Sequence, residues 1–412
     1  MRVAYFISEW PGQTHIWMWR EISHLRELGA KVIVYSTRPP GEQTYAKHDF
    51  VSQEVPETRY LWPRRLMPMV CDICRTFLLH PVRTWKTFWL LFQMPLDKGR
   101  GIKTALPCLL LALEMSAMLK RDRIDHIHVA SAAKSALIAL GVKELSRVPF
   151  SLVVNANVEW WGGAMREKFT SADFVVSIAG WLSKDIRKVV PELSEEQLVF
   201  ASIGVDTQTW IANDRNWPSR NEPLRLVSVG RLHPSKGHDV LIRSVALMRD
   251  NGIDVRLRVL GEGPDRERLS QLIQELTLTS YVELLGSVSE NVVKSELAQS
   301  HVFVLASHAE PLGVAYMEAM ASGIATIGTN QGGVSEIISN NETGFLVPPK
   351  SPEAIASVVS SLASSPALAK KIGASGRKFI ESAFDSRIGA KRLFDAIDRN
   401  LKKTQTVLTK RA

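Results

Sequence analysis

The feature that most constrains this chain is a repeated change of hydrophobic period. Short β-rich apolar runs alternate with longer stretches of helical spacing along most of the 412 residues, the pattern of parallel sheets joined by crossover helices. Arg2–Ser8, Lys31–Thr37, His126–Val129, Ser151–Asn155 and Asp173–Ile178 predict strands of a first sheet. Between the first two, Met18–Leu28 predicts a helix with Ile22, Leu25 and Leu28 on one face, stopped by Gly29. A second set comprises Leu224–Gly230, Val255–Gly261, Tyr281–Leu285, His301–Leu305 and Ile324–Gly328, separated by helical stretches such as Val240–Arg249 and Asp265–Leu276. The polar stretch Thr207–Pro223 is too long for an ordinary turn and reads as a linker. From about Asp385 the pattern is helical and ends in a basic tail. The expectation is an α/β chain of two doubly wound parallel sheets, in domains 1–206 and 207–384, with residues 385–412 as a final helix. With 45% apolar and 23% charged residues, disordered and collagen-like chains are excluded.

Charge is unevenly placed. The formal balance is +9, and between Arg59 and Arg123 twelve basic residues face only four acidic ones, so one segment carries nearly all the excess. It also holds all three cysteines and three of the eleven tryptophans. Three cysteines are too few for a disulfide framework, and the start has no signal-peptide pattern, so a cytoplasmic chain is expected. Cys71-Asp72-Ile73-Cys74 has no second ligand pair and fits a structural thiol pair better than zinc.

In open α/β sheets, ligands sit outside the carboxyl ends of strands, so the chemistry is sought there. Gly230-Arg231-Leu232-His233-Pro234-Ser235-Lys236-Gly237 follows the first strand of the second half. Its two cations, five residues apart, suit a leaving diphosphate, or are two solvated charges in a turn. His308 to Glu318 follows another strand. Pro311 suits a helix start, Gly313 permits close backbone approach, Glu318 could hold a pair of hydroxyls, and Glu310 could meet a sugar. Glu310 as a helix cap and Glu318 as a surface residue is the plainer alternative. Gly332-Gly333 before Glu336 makes an anion-binding nest or an ordinary turn. Gly12, after the first strand, lacks the spacing of a dinucleotide fingerprint, Gly261 and Gly263 lack a third glycine, and no Walker loop is present.

In order and spacing these elements resemble the family 4 glycosyltransferases, retaining nucleotide-sugar enzymes of the GT-B fold. The likeness is strongest from Val227 to Pro348, through Gly230-Arg231…Lys236-Gly237, the Glu310…Glu318 pair and Gly332-Gly333…Glu336, and Gly204-Val205-Asp206 resembles the family's turn before the linker. It implies two Rossmann-like domains facing across a cleft: an acceptor-side domain, on which residues 385–412 pack back, and a donor-binding domain. It further implies that Arg231 and Lys236 bind the leaving diphosphate, Glu318 the ribose, Glu310 the transferred sugar, and the backbone of Gly230, Leu312, Gly313 and Val314 the donor. Gly12 would approach the diphosphate from the first domain. No cofactor or metal is implied; the partners would be a nucleotide-sugar donor, UDP by default, and a saccharide or lipid-linked acceptor, as in exopolysaccharide assembly. A nucleotide-sugar epimerase and a non-catalytic donor-binding subunit are the alternatives.

One position departs from the family pattern. Where members carry a histidine after the strand Ser151–Val154, this chain has Asn155, which can donate a hydrogen bond but cannot carry a proton. His128 lies on an earlier strand and does not replace it by spacing. Residues 59–123 read as a basic amphipathic insertion, with Trp62, Trp85 and Trp89 beside Arg and Lys. That composition suits an anionic membrane surface, giving a peripheral protein on the inner face, or else a helical layer whose solvated face is basic. Its apolar run Ala105–Leu113 is too short to span a bilayer. Nucleic acid is not expected, because no recognition module accompanies the charge.

Overall fold

The computed structural model describes residues 1–41, 48–97, 101–212, 216–219 and 222–409. The chain divides into two compact units, Met1–Ser202 with Arg387–Ala412, and Ile203–Ser386.

The first unit is built on seven strands: β1 (Arg2–Glu9), β2 (Lys31–Arg38), β3 (Arg59–Tyr60), β4 (His126–Val129), β5 (Phe150–Val154), β6 (Phe174–Ser177) and β7 (Leu198–Phe200). All pairings are parallel, in the order β3-β2-β1-β4-β5-β6-β7. Val3 in β1 lies level with Val32 on one side and His126 on the other. Helices cover both faces of such a sheet, so its central strands are apolar without alternation, and Val3 through Phe6 are fully buried.

The second unit has six parallel strands: β8 (Leu224–Val229), β9 (Val255–Leu260), β10 (Val282–Gly286), β11 (Val302–Leu305), β12 (Ala325–Thr329) and β13 (Phe345–Val347), in the order β10-β9-β8-β11-β12-β13. Its core joins Leu226, Leu257, Val304 and Ile327 of the sheet to Leu241, Val245 and Ile355 of the covering helices. Each such side chain contributes roughly 1.5–3 kcal/mol by leaving water. Both sheets therefore reverse their winding beside their first strand, at β1/β4 and at β8/β11, which are the topological switch points of doubly wound folds.

Three short strands, β3, β7 and β13, escaped the sequence reading. At two or three residues each, they carry too few side chains to show a period. The polar stretch after Asp206 is not simply a linker. Trp210 is buried there, its carbonyl accepts from Arg377 at 2.7 Å, and the Lys294 ammonium lies 5.2 Å from its ring centre. The basic segment 59–123 resolves into helices Leu66–Leu79, Pro81–Phe92 and Ile102–Asp122.

Two expectations on that segment are corrected. The run Ala105–Leu113 is the middle of a 21-residue helix that is long and apolar enough to cross a membrane, although 67% of its apolar stretch is buried within the unit. Cys71 and Cys74 are free and exposed, so they do not form a packed thiol pair. Among the described residues no cluster of three His, Cys, Asp or Glu could hold a metal ion. The last helix, Ser386–Thr409, buries Leu393 and Ile397 in the first unit. Its Gly389 lies so close to the Ser202 carbonyl that a Cβ would sit 2.1 Å from that oxygen.

Candidate functional site

Three strand-end loops of the second unit lock together beside the β8/β11 switch point. After β8 the chain turns at Gly230, whose N–H donates to the Leu260 carbonyl at 2.9 Å. His233 then caps a single 3-10 turn, Pro234–Lys236, by accepting from the Ser235 N–H through Nδ1 at 3.2 Å. Gly237 follows with φ +63°, and a Cβ there would stand 2.0 Å from the Ala306 carbonyl oxygen. Only glycine satisfies both conditions. The close approach fixes the β8 loop against the β11 loop, and His308 N–H donating to the Ser235 carbonyl at 2.7 Å ties them further.

The β12 loop closes the arrangement. Gly332 has φ +55°, and its Cβ would fall 2.2 Å from the Glu310 carbonyl oxygen, which accepts from the Gly333 N–H at 3.0 Å. The Glu310 backbone is thus gripped from the neighbouring loop. Its side chain is 9% exposed and accepts from the Lys236 ammonium at 2.5 Å and from the Ser307 hydroxyl at 3.4 Å. Buried this far, a lone carboxylate would be costly; the ammonium and hydroxyl compensate it.

Glu310 is therefore no simple helix cap. The helix Val314–Ala321 begins after Gly313 (φ +100°), with no side-chain cap, leaving the first amides of Val314 and its neighbours at the loop. Leu312, in the same loop, is buried. Glu318, in the second turn, is 8% exposed rather than a surface residue. Tyr316 anchors the helix by donating from its hydroxyl to the Leu305 carbonyl at 2.6 Å. Arg231 is exposed at the rim of the same loop.

The sequence reading passed over Ser235, Ser307 and His238. His238 opens the helix after Gly237, beneath the Gly230 turn, and burial lowers its pKa to about 4, so it sits there as neutral imidazole. Nothing in the local sequence marks it.

The first unit presents different chemistry at its strand ends. Gly12 N–H donates to His15 Nδ1 at 2.9 Å. The His15 ring stacks on Trp10 with centroids 5.9 Å apart, and burial lowers its pKa to about 4. Asn155, directly after β5, donates to the Ala130 carbonyl at 3.3 Å, while its Oδ1 is buried with no hydrogen-bond partner among the described residues. His128 lies inside β4, where burial lowers its pKa to about 3 and Nδ1 meets the Ser151 hydroxyl at 2.9 Å. It does not take the place of a strand-end histidine.

Comparison with known proteins gives this geometry a setting. Residues 211–379 match the family described as Glycosyl transferases group 1. Over 372 residues, 86% of this chain and 89% of the relative, the chain is 26% identical to a Salmonella typhimurium protein named for colanic acid biosynthesis and glycosyl transfer. Its fold is similar to that of a glycosyltransferase from Rickettsia africae, with 18% identity, a TM-score of 0.71 and coverage of 97% and 99% of the two chains. It is also similar to Anabaena HepE in complex with UDP, with 14% identity, a TM-score of 0.72 and coverage of 97% and 100%.

Proposed function

We propose that this chain, whose residues 211–379 match the group 1 glycosyltransferases and whose fold is similar to that of a solved glycosyltransferase, is a GT-B glycosyltransferase that moves a sugar from a UDP-sugar donor to a saccharide or lipid-linked acceptor, with retained configuration, in exopolysaccharide assembly. The observation that carries this reading is the Lys236–Glu310 pair, held at the meeting point of three strand-end loops by glycines that tolerate no side chain. The Salmonella relative's name supports the exopolysaccharide setting, and the UDP held by HepE makes UDP the first candidate base.

In this reading the exposed Arg231 and the tethered Lys236 neutralise the diphosphate as the bond from sugar C1 to the phosphate oxygen breaks. The acceptor hydroxyl attacks C1 from the same face, and its proton passes to the departing phosphate oxygen. Two protein cations on one loop supply the charge that a metal ion would otherwise bring. Glu310 accepts hydrogen bonds from the transferred sugar, and the amides around Gly313 and Val314 hold the donor at the helix start. Glu318 takes the ribose hydroxyls. In the first unit Asn155 stands where the resembled family has a histidine and carries no proton, which a mechanism using phosphate as base allows.

Melting the protein with UDP, GDP, ADP and their common sugars tests the donor. UDP at ~100 times its dissociation constant should add about 2.7 kcal/mol of stability. A shift selective for GDP or ADP would overturn the choice of base, and a flat panel on folded protein would overturn the donor site.

A further inference from the structure

The helices Leu66–Leu79 and Pro81–Phe92 are packed inside out. Their inward positions are Asp72 and Thr76 in the first, and Thr84, Thr87 and Leu91 in the second. The large apolar side chains point the other way: Met67 is 72% exposed, Leu78 74%, Val82 66% and Trp85 64%. The N-terminal half of the Ile102–Asp122 helix continues this surface with Ile102, Leu106 and Leu110, exposed at four-residue spacing. A helix on the surface of a protein in water normally shows the reverse arrangement, apolar inward and polar outward.

The inward face is specifically polar. Arg64 donates to Asp72 at 3.0 Å and to Glu114 at 2.8 Å, and Arg121 donates to Asp72 at 2.8 Å. Burial pushes the Asp72 carboxyl up, but the two arginines outweigh it and hold the carboxyl below its ordinary value. Thr76 donates to the Leu113 carbonyl at 2.9 Å. These bonds set the rotation of the Leu66–Leu79 helix, so its apolar side is held outward by structure.

The sign of the charge selects the occupant. Asp72 is the one acidic residue of the two helices, and it is buried and paired. The outward charges are therefore positive: Arg75 and Lys86, with Lys103 on the adjoining helix, are all exposed. A second copy of the chain would set these cations against themselves. Nucleic acid would meet a face of leucine, methionine and tryptophan. An anionic lipid surface satisfies both features, with aromatic rings at headgroup depth and cations on lipid phosphates. Trp85, Phe88, Trp89 and Phe92 form a contiguous ring cluster, with Trp85–Phe88 and Trp89–Phe92 centroids 6.0 and 5.4 Å apart.

From these observations we infer that the helix pair Leu66–Leu79 and Pro81–Phe92 is a monotopic membrane-insertion surface that enters the interfacial layer of an anionic bilayer without crossing it. Flotation of the full chain with phosphatidylcholine vesicles, with and without about one-third phosphatidylglycerol, tests it. The wild-type chain should float with the anionic vesicles, and Leu78→Glu with Trp85→Glu should lower the bound fraction at least tenfold while leaving the far-UV circular-dichroism melt unchanged. Should that pair fail to fold, Arg75→Glu with Lys86→Glu should abolish the preference for anionic over neutral vesicles. A wild-type chain that floats with neither vesicle, or variants that float as it does, would overturn the inference. So would a wild-type dimer, seen by light scattering, that the apolar substitutions dissociate while vesicle binding is absent. No nucleotide sugar enters the readout, so its failure is distinct from failure of the transfer reaction.

Discussion

The two units share the order of their first six strands and the place of the switch point, with a seventh strand in the first unit, yet they finish their strands differently. In the second unit the loops after β8, β11 and β12 are clamped by backbone contacts at Gly237 and Gly332 and carry an ion pair of Lys236 with Glu310. In the first unit the loop after β1 is held by ring stacking of Trp10 and His15, and the position after β5 carries an amide, Asn155. A doubly wound sheet supplies an address for a ligand; the side chains placed there decide the chemistry. Rigid charged loops suit a polyanion whose charge must be met at fixed positions. Aromatic and amide groups suit hydroxyl-rich partners of varied shape.

The sharpest way to break this comparison is through the glycines. Gly237→Ala or Gly332→Ala would force a Cβ onto a backbone oxygen at a positive φ, and should destabilise the second unit by about 3 kcal/mol or more. Gly12→Ala in the first unit meets only the movable His15 ring and should cost about 1 kcal/mol. Denaturant unfolding of the three variants decides the point, and equal costs would remove the contrast.

The units should also differ in their response to pH. Burial raises the Glu21 carboxyl of the first unit to about 7, although the Tyr5 hydroxyl that donates to it at 2.7 Å pulls it down. Between pH 4.5 and 7 the folded state keeps a proton that the unfolded chain releases, so stability falls as pH rises and stays lower above 7. Glu21→Gln should therefore stabilise by about 2 kcal/mol at pH 8 and be nearly neutral at pH 4. His15 in the first unit and His238 in the second have pKa values lowered to about 4, and each loses stability as pH falls from 6.5 through 4. Thermal melts across this range should show an alkaline penalty, removed by Glu21→Gln, that His238 does not contribute to.

The smallest effects sharpen the assignment of roles. Lys236→Ala and Glu318→Ala should each lower kcat/KM at least tenfold, about 1.4 kcal/mol in the transition state. Asn155→Ala should cost less than that, because it removes one 3.3 Å hydrogen bond together with a buried oxygen that has no partner among the described residues. Steady-state kinetics with the donor identified by melting makes the measurement. Wild-type rates for Lys236→Ala and Glu318→Ala would displace the site from the second unit's loops.

Much of this was legible in the chain. Most strands of the two sheets are marked by short apolar runs, and the loops at their carboxyl ends are found by counting forward from them. Gly230, Arg231, Lys236, Glu310, Gly313 and Glu318 were therefore recognisable as candidates in sequence. Their relations were not: the Lys236–Glu310 bond spans 74 residues, and the grip of Gly332 on Glu310 depends on β11 and β12 lying side by side. His238 was invisible because nothing but burial distinguishes it from a surface histidine.

The helical segment from Arg59 to Arg123 shows the same division. Sequence alone determined that it is basic, rich in tryptophan and amphipathic, because those are properties of composition and period. Periodicity defines two faces of a helix but does not say which one meets the protein. That choice was made by the buried carboxylates of Asp72 and Glu114, whose pairing with Arg64 and Arg121 is more favourable than leaving those charges unmatched, and it turned the apolar face outward. The alternation of strand and helix was a local property, written in the order of residues. The ion pairs, glycine contacts and outward face were decided in three dimensions, because each depends on groups that only folding brings within reach.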